Sequence, residues 1–205
     1  MDADAVEIRV LGCLVEKQRT TPETYPLSLN ALRLACNQST NRDPVVDYDE
    51  HTIREALNRL SRRGWARLAS GPGSRAVKFR HLFDEALGLT PEQTAVLAVL
   101  MLRGPQTPGE LKQRTQRLHH FEGLDDIARV LDELIQRDLV RRLERQPGQK
   151  EERYEHLLSD DDAEPPAAAS EPERRDRLGE LEREVADLSR EVAELRAELG
   201  ALRQN

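Results

Sequence analysis

Residues 52–83, "TIREALNRLSRRGWARLASGPGSRAVKFRHLF", find a second version of themselves in residues 126–158, "DIARVLDELIQRDLVRRLERQPGQKEERYEHLL". Ile53, Leu57 and Leu60 recur 74 residues on as Ile127, Leu131 and Leu134, and Trp65 recurs as Leu139. "KFRHLF" at 78–83 recurs as "RYEHLL" at 153–158, shifted by 75 because the second turn is one residue longer. A spacing of i, i+4, i+7 marks one apolar face of a helix. The segment that follows, folded around "GPGS" in one copy and "QPGQ" in the other, predicts a β-hairpin.

Upstream of each copy lies more helix. Thr90, Pro91 and Gln93 make a capping signal, Gly104 and Pro105 a stop, and Thr107, Pro108 and Glu110 a second start. The first copy predicts helices over about 5–18 and 27–37, with Thr21-Pro22 between them. Three helices closed by a two-stranded wing are a winged helix, a variant of the helix-turn-helix. The expected fold is therefore mainly α with small β-hairpins: two tandem winged-helix domains, 1–83 and 84–158. Thr21 to Ile53 spans 32 residues and Thr107 to Ile127 spans 20, which predicts 12 extra residues before the third helix of the first unit. "NQSTNRDPV", 37–45, lies among them. That third helix is the one that enters the major groove in DNA-binding members of the class.

Five stretches carry a family resemblance: "LGCLVEKQRTTPETYPLSLNAL", "ACNQSTNRDPV", "GSRAVKFRH", "LMLRGPQTPGEL" and "QPGQKEERYEHLL". With them the chain resembles the YceH-like family of bacterial proteins over most of residues 5–158. The resemblance implies a tandem winged-helix fold with an acidic tail, and it brings no active-site residues with it.

Composition narrows the function classes. Aromatics are 3% and charged residues 34% of the 205, which favours two small helical units over a single large core. Residues 1–83 hold 13 Lys+Arg against 10 Asp+Glu, 84–158 hold 11 against 14, and 159–205 hold 7 against 14. Only the first unit can offer a basic face to phosphate. Cys13 and Cys36 form no CxxC motif, and the acidic N-terminus lacks the pattern of a signal peptide; both point to a reduced, cytoplasmic setting without a membrane span.

Residues 159–173 are acidic and Pro/Ala-rich and read as a disordered linker. Beyond it, over 174–205, Leu178, Leu181, Val185, Leu188, Val192, Leu195, Leu199 and Leu202 alternate three and four apart. Val at the two central a positions with Leu at d favours a two-stranded parallel coiled coil, hence a homodimer. The competing reading is a helix packed back on its own chain.

On the third helix of the first unit Ile53, Ala56, Leu57 and Leu60 are expected to face inward. Arg54, Asn58 and Arg62 then face out, where Arg can pair with guanine and Asn with adenine. A solvated helix face is the plainer account of the same residues. In the wing Arg75, Lys78 and Arg80 could rest on a sugar-phosphate backbone. Asn41 and Arg42 either contact nucleic acid or close a turn before Asp43-Pro44. The second unit's third helix exposes Asp125, Asp126, Asp132 and Glu133 against Arg129 and Arg137, a face that repels phosphate. Phosphate loops, hydrolase elbows and paired metal ligands are missing from the sequence, so neither an enzyme nor a cofactor is expected. His81 and His156, at equivalent wing positions, suggest packing. Two readings stay open: a dimeric regulator that binds double-stranded DNA, or an adaptor that docks a protein partner.

Overall fold

Asp4 opens the first helix by accepting a hydrogen bond from the backbone of Glu7 at 2.8 Å, while the Glu7 carboxylate accepts from the backbone of Asp4 at 3.1 Å. Two amides that a helix start leaves unpaired are thereby satisfied. The computed structural model, which describes residues 3–69, 77–144 and 151–159, carries this helix, α1, over Ala5–Thr20. Every residue from Val6 through Val15 is buried. A helix buried on all sides belongs at the centre of a fold.

A 3-10 turn, Pro22–Thr24, leads to the two-residue strand β1, Leu27–Ser28. Ser28 then caps α2, Leu29–Cys36, accepting from the backbone of Ala31 at 3.3 Å. A long loop reaches α3, Glu50–Arg62, capped by Asp49. β2, Ala66–Leu68, and β3, Lys78–His81, pair antiparallel, and β1 joins the free edge of β3. The short α4, Phe83–Leu87, stops at Gly88, whose φ of 59° suits the left-handed turn that glycine adopts at helix ends.

The second half repeats the order. α5, Pro91–Arg103, and α6, Pro108–Thr115, each start with the capping box expected from Thr90/Gln93 and Thr107/Glu110. α7, Leu124–Gln136, follows, then β4, Val140–Leu143, paired with β5, Arg153–His156. Gln106 makes a lone antiparallel bridge to Tyr154, with backbone bonds of 3.0 and 2.8 Å. Tyr154 corresponds to Phe79, which β1 pairs with through Leu27, so Gln106 stands where β1 stands in the first half.

Two expectations need correction. The halves do not keep separate small cores. α1 and α5, the first helix of each, pack on one another and feed a single buried cluster that runs from Ala3 to Leu158. Gly12 permits the approach: a Cβ there would lie 3.0 Å from Leu102 Cδ2 and 3.2 Å from Met101 Cβ. The Ala3 backbone also donates to Leu158 at 3.2 Å, joining the start of the first half to the end of the second. The extra length is also placed differently. Thr21 does not start α2; Ser28 does, and Ser28 to Ile53 spans 25 residues against 20 from Thr107 to Ile127. The rest of the surplus falls between α1 and β1, where the 3-10 turn sits. The linker 159–173 beyond Ser159, and the heptad segment with Leu178 to Leu202, lie outside the described residues. Among the described residues no helix is long and apolar enough to cross a membrane.

Candidate nucleic-acid interface

The inner face of α3 is fixed by Ile53, Ala56, Leu57 and Leu60, all buried. Fully burying each large one contributes about 1.5–3 kcal/mol, which leaves the helix one orientation. Its C-terminal end is fastened to α1 by charge. Arg59 Nη2 lies 2.6 Å from Asp4, Arg63 Nε donates to Glu7 at 3.1 Å, and Arg59 Nε sits 3.4 Å from Glu7, too poorly aligned for a hydrogen bond. The Glu7 carboxylate is almost wholly buried, so these arginines answer an interior charge.

Arg54, Asn58 and Arg62 are different. They stand four residues apart along the exposed side of α3, and none has a hydrogen bond or ion pair among the described residues. The neighbouring Glu55 turns to Arg59 at 4.0 Å.

The sheet beside them adds cations of unequal freedom. Register puts Arg67 directly opposite Arg80, with Lys78 two residues away on the same face. Like charges opposite one another weaken a strand pair. Arg80 is relieved by Glu85 at 2.6 Å, and Lys78 is half-buried. Arg67 is exposed and was missed in the sequence; only the pairing register reveals that it shares a face with the other two. Arg75 lies outside the described residues. His81 packs inward, its Nε2 2.6 Å from Gln18 Oε1, and its backbone donates to the Tyr25 hydroxyl at 2.8 Å. Burial pushes Tyr25 up to about 12 and holds His81 below the usual histidine range, although Asp84 stands 3.4 Å from Nδ1.

The stretch 37–45 lies mostly at the surface, yet Asn37 and Arg42 within it serve the fold. Asn37 closes the loop on itself: its Nδ2 donates to the Tyr48 carbonyl at 2.8 Å, and the Tyr48 amide donates back to Oδ1 at 2.9 Å. Arg42, open either to nucleic-acid contact or to a role in closing the turn, has a fully buried side chain. Its guanidinium donates to both oxygens of Glu16 at 3.1 and 2.6 Å, to the carbonyls of Ala35 and Asn41 at 3.1 and 2.7 Å, and to Gln38 at 3.0 Å. No donor is left for phosphate. Asn41 is exposed, holds a φ of 61°, and accepts a hydrogen bond from Arg103 of α5. The Asp43 amide donates to the Leu102 carbonyl at 2.9 Å, and the Pro44 carbonyl accepts from Arg9 at 2.6 Å.

On α7 the arginines are spent within the fold. Arg129 bridges Glu92 and Glu133, each at 2.9 Å, and Arg137 donates to Gln93 at 3.1 Å and to carbonyls at the end of α4. The Gln93 hydrogen bond, then Arg129, hold Glu133 below the usual carboxylate range. The other exposed charges, Asp125 and Asp132 on α7 and Asp138 just beyond it, are acidic.

The molecule is thus a mainly helical protein of two like halves on a shared core, with small antiparallel sheets and, among the described residues, an exposed row of unpaired Arg and Asn on α3. Residues 3–149 match the family model described as a protein of unknown function, DUF480, and the chain belongs to that family. It is similar to UPF0502 proteins of Opitutus terrae, 51% identical over 88% of this chain and 80% of that one, and of Serratia proteamaculans, 44% identical over 90% and 91%. A UPF0502 protein of Pelobacter propionicus is 54% identical over 76% of this chain and 71% of its own.

Proposed function

We propose that the two halves are winged-helix units and that the first binds double-stranded DNA, with α3 in the major groove and the β2–β3 hairpin on the backbone. The order of helices and strands, with β1 on the edge of β3 and the Gln106–Tyr154 bridge as its counterpart, supports the winged-helix reading. One observation carries the function. Arg54, Asn58 and Arg62 have no partner among the described residues, whereas Arg9, Arg42, Arg59, Arg63, Arg129 and Arg137 all serve the fold. Side chains left unpaired in one row, four apart, have the geometry for base edges in a groove.

In this reading the protein is a cytoplasmic binding protein rather than an enzyme, and the heptad segment 174–205 joins two copies so that two α3 helices address two half-sites. A second reading rests on α7: its outer face is acidic because its arginines are internally paired, which suits a basic protein partner. A pull-down from the host that returns no stable partner counts against that adaptor role.

The test of the first reading is binding of duplex fragments from the host genome at two salt concentrations. Wild type should bind, and more weakly at high salt. The Arg54→Glu, Arg62→Glu variant should lose that binding. Equal binding by both proteins would remove α3 from the interface.

A further inference from the structure

A second cationic feature shares no residue with the α3 row. A groove of about 770 Å³ opens where the C-terminal turns of α1, α5 and α6 converge, flanked by Thr40 and Asn41 of the long loop. Asn41, Arg103 and Arg114 are common to it and to an adjoining recess of about 640 Å³. Four cations line the groove, Lys17, Arg103, Arg114 and Arg117, against the single carboxylate of Glu16, an excess of three positive charges. That carboxylate is already held by both of its oxygens on the buried Arg42.

Helix dipoles account for part of this crowding. Each C-terminus contributes about half a negative charge, so three helix ends offset roughly half of the excess. Arg114 also has Glu110 at 3.4 Å, and Lys17 has Glu16 at 3.8 Å. Arg103 and Arg117 have no carboxylate within ion-pair distance among the described residues. Arg103 is nonetheless held in place by the side chain of Asn41. Burial, then the neighbouring Arg114, lower its hold on its proton, as befits a cation lacking a counter-charge. A chain of net charge -7 that gathers cations in one groove concentrates positive potential there. The side chains of Thr40, Gln113 and Gln116 add hydrogen-bonding groups not engaged among the described residues.

We infer that this groove binds a small phosphorylated ligand through at least two oxyanions, with Arg103 and Arg117 as its principal contacts. Forked guanidinium groups match phosphate oxygens in pairs. The groove offers no aromatic side chain for stacking a base; its apolar lining is Val99, Leu102 and Leu118. A non-aromatic phosphate ester or diphosphate fits that lining better than a nucleotide held by its base.

Pyrophosphate is the probe, titrated into the full chain with isotope-labelled arginine and read at each Nε–H by NMR, against chloride at equal ionic strength. Arg103 and Arg117 should shift saturably, with Arg54 and Arg62 unmoved. The Arg117→Ala variant alters an exposed residue that the fold does not use, and should weaken binding about tenfold or more, as loss of a charge-assisted hydrogen bond does. Arg103→Lys, which keeps the charge but not the fork, should weaken it as well. No saturable shift, affinity unchanged from wild type in both variants, or equal shifts at Arg54 and Arg62 would overturn the inference. So would a short DNA duplex that moves Arg103 and Arg117, since the groove would then belong to a nucleic-acid surface. Failure here leaves the α3 reading untouched, because that reading is tested at Arg54 and Arg62.

Discussion

Arg42 Nη2 lies 2.6 Å from Glu16 Oε2, and Nη1 reaches the other oxygen at 3.1 Å, so the pair meets side-on and twice. The Arg42 side chain is fully buried, while that of Glu16 keeps 16% of its surface exposed. The guanidinium also gathers the end of α2 and the loop that follows it through Ala35, Gln38 and Asn41. Removing the arginine strands Glu16, which keeps some water and has Lys17 at 3.8 Å, so the cost falls below the roughly 3–5 kcal/mol of a fully buried pair. Arg42→Ala should therefore shift the urea midpoint strongly. Arg54→Ala should leave stability within about 0.5 kcal/mol. Similar midpoints for the two variants would contradict the burial of Arg42.

Gly12 sets how closely α1 and α5 approach. Gly12→Ala puts a methyl group 3.0 Å from the Leu102 side chain. Overpacking of this kind costs about 1–3 kcal/mol, less the roughly 0.5–1 kcal/mol that Ala gains over Gly inside a helix. Combining it with Leu102→Ala should restore part of the loss, giving a non-zero coupling in a double-mutant cycle. Strict additivity of the two changes would mean that the helices do not touch at this point.

His81 gives the stability a pH dependence of known sign. Burial depresses its folded pKa, with Asp84 and Glu85 opposing and Arg80 and Arg19 assisting. The unfolded chain takes up a proton near pH 6.5 that the folded chain refuses. Stability should be full above that pH and fall as the pH drops from about 6.5 toward the folded value. His81→Gln should flatten the melting temperature between pH 7 and 5; an unchanged slope would assign the effect elsewhere.

Cys13 and Cys36 are both free and buried. Burial, then the adjacent Cys13 thiol, push Cys36 well up. Only the thiolate reacts with thiol reagents. Cys13 is shifted the other way, its burial outweighed by the Cys36 hydrogen bond and Arg42, so its protection rests on having no exposed surface; the native chain should show neither thiol reacting quickly, and both should react once it is denatured. Rapid labelling of the native chain would place at least one of them at the surface.

Much of this architecture was legible because it rests on repetition and caps. The matched Ile/Leu triplets became the buried faces of α3 and α7, and Thr90/Gln93 and Thr107/Glu110 became capping boxes. β1 escaped notice because two residues carry no period, and Gln106 because a single bridge carries none either. The shared core has a visible sign in "TAVLAVLML", a helix apolar on every side, but the high charge of the chain points the other way. For Arg42 the structural alternative was open, but its partner was not legible, because Glu16 lies 26 residues away. At the candidate interface the exposure of Arg54, Asn58 and Arg62 followed from helix period alone, but the neutralisation of Arg80 by Glu85 needed the structure.

The contact between α1 and α5 bears on how responsibilities within the molecule should be apportioned. A duplication is still readable in the sequence, yet the duplicated piece has ceased to be a unit of survival. Cutting at residue 83 would bare the face of α1 that Leu102 and Met101 now cover. Either fragment alone would then fail by aggregating, whatever it does in the intact chain. A truncation series would assign every activity to both halves at once. Single substitutions on intact protein are the tool that can separate them.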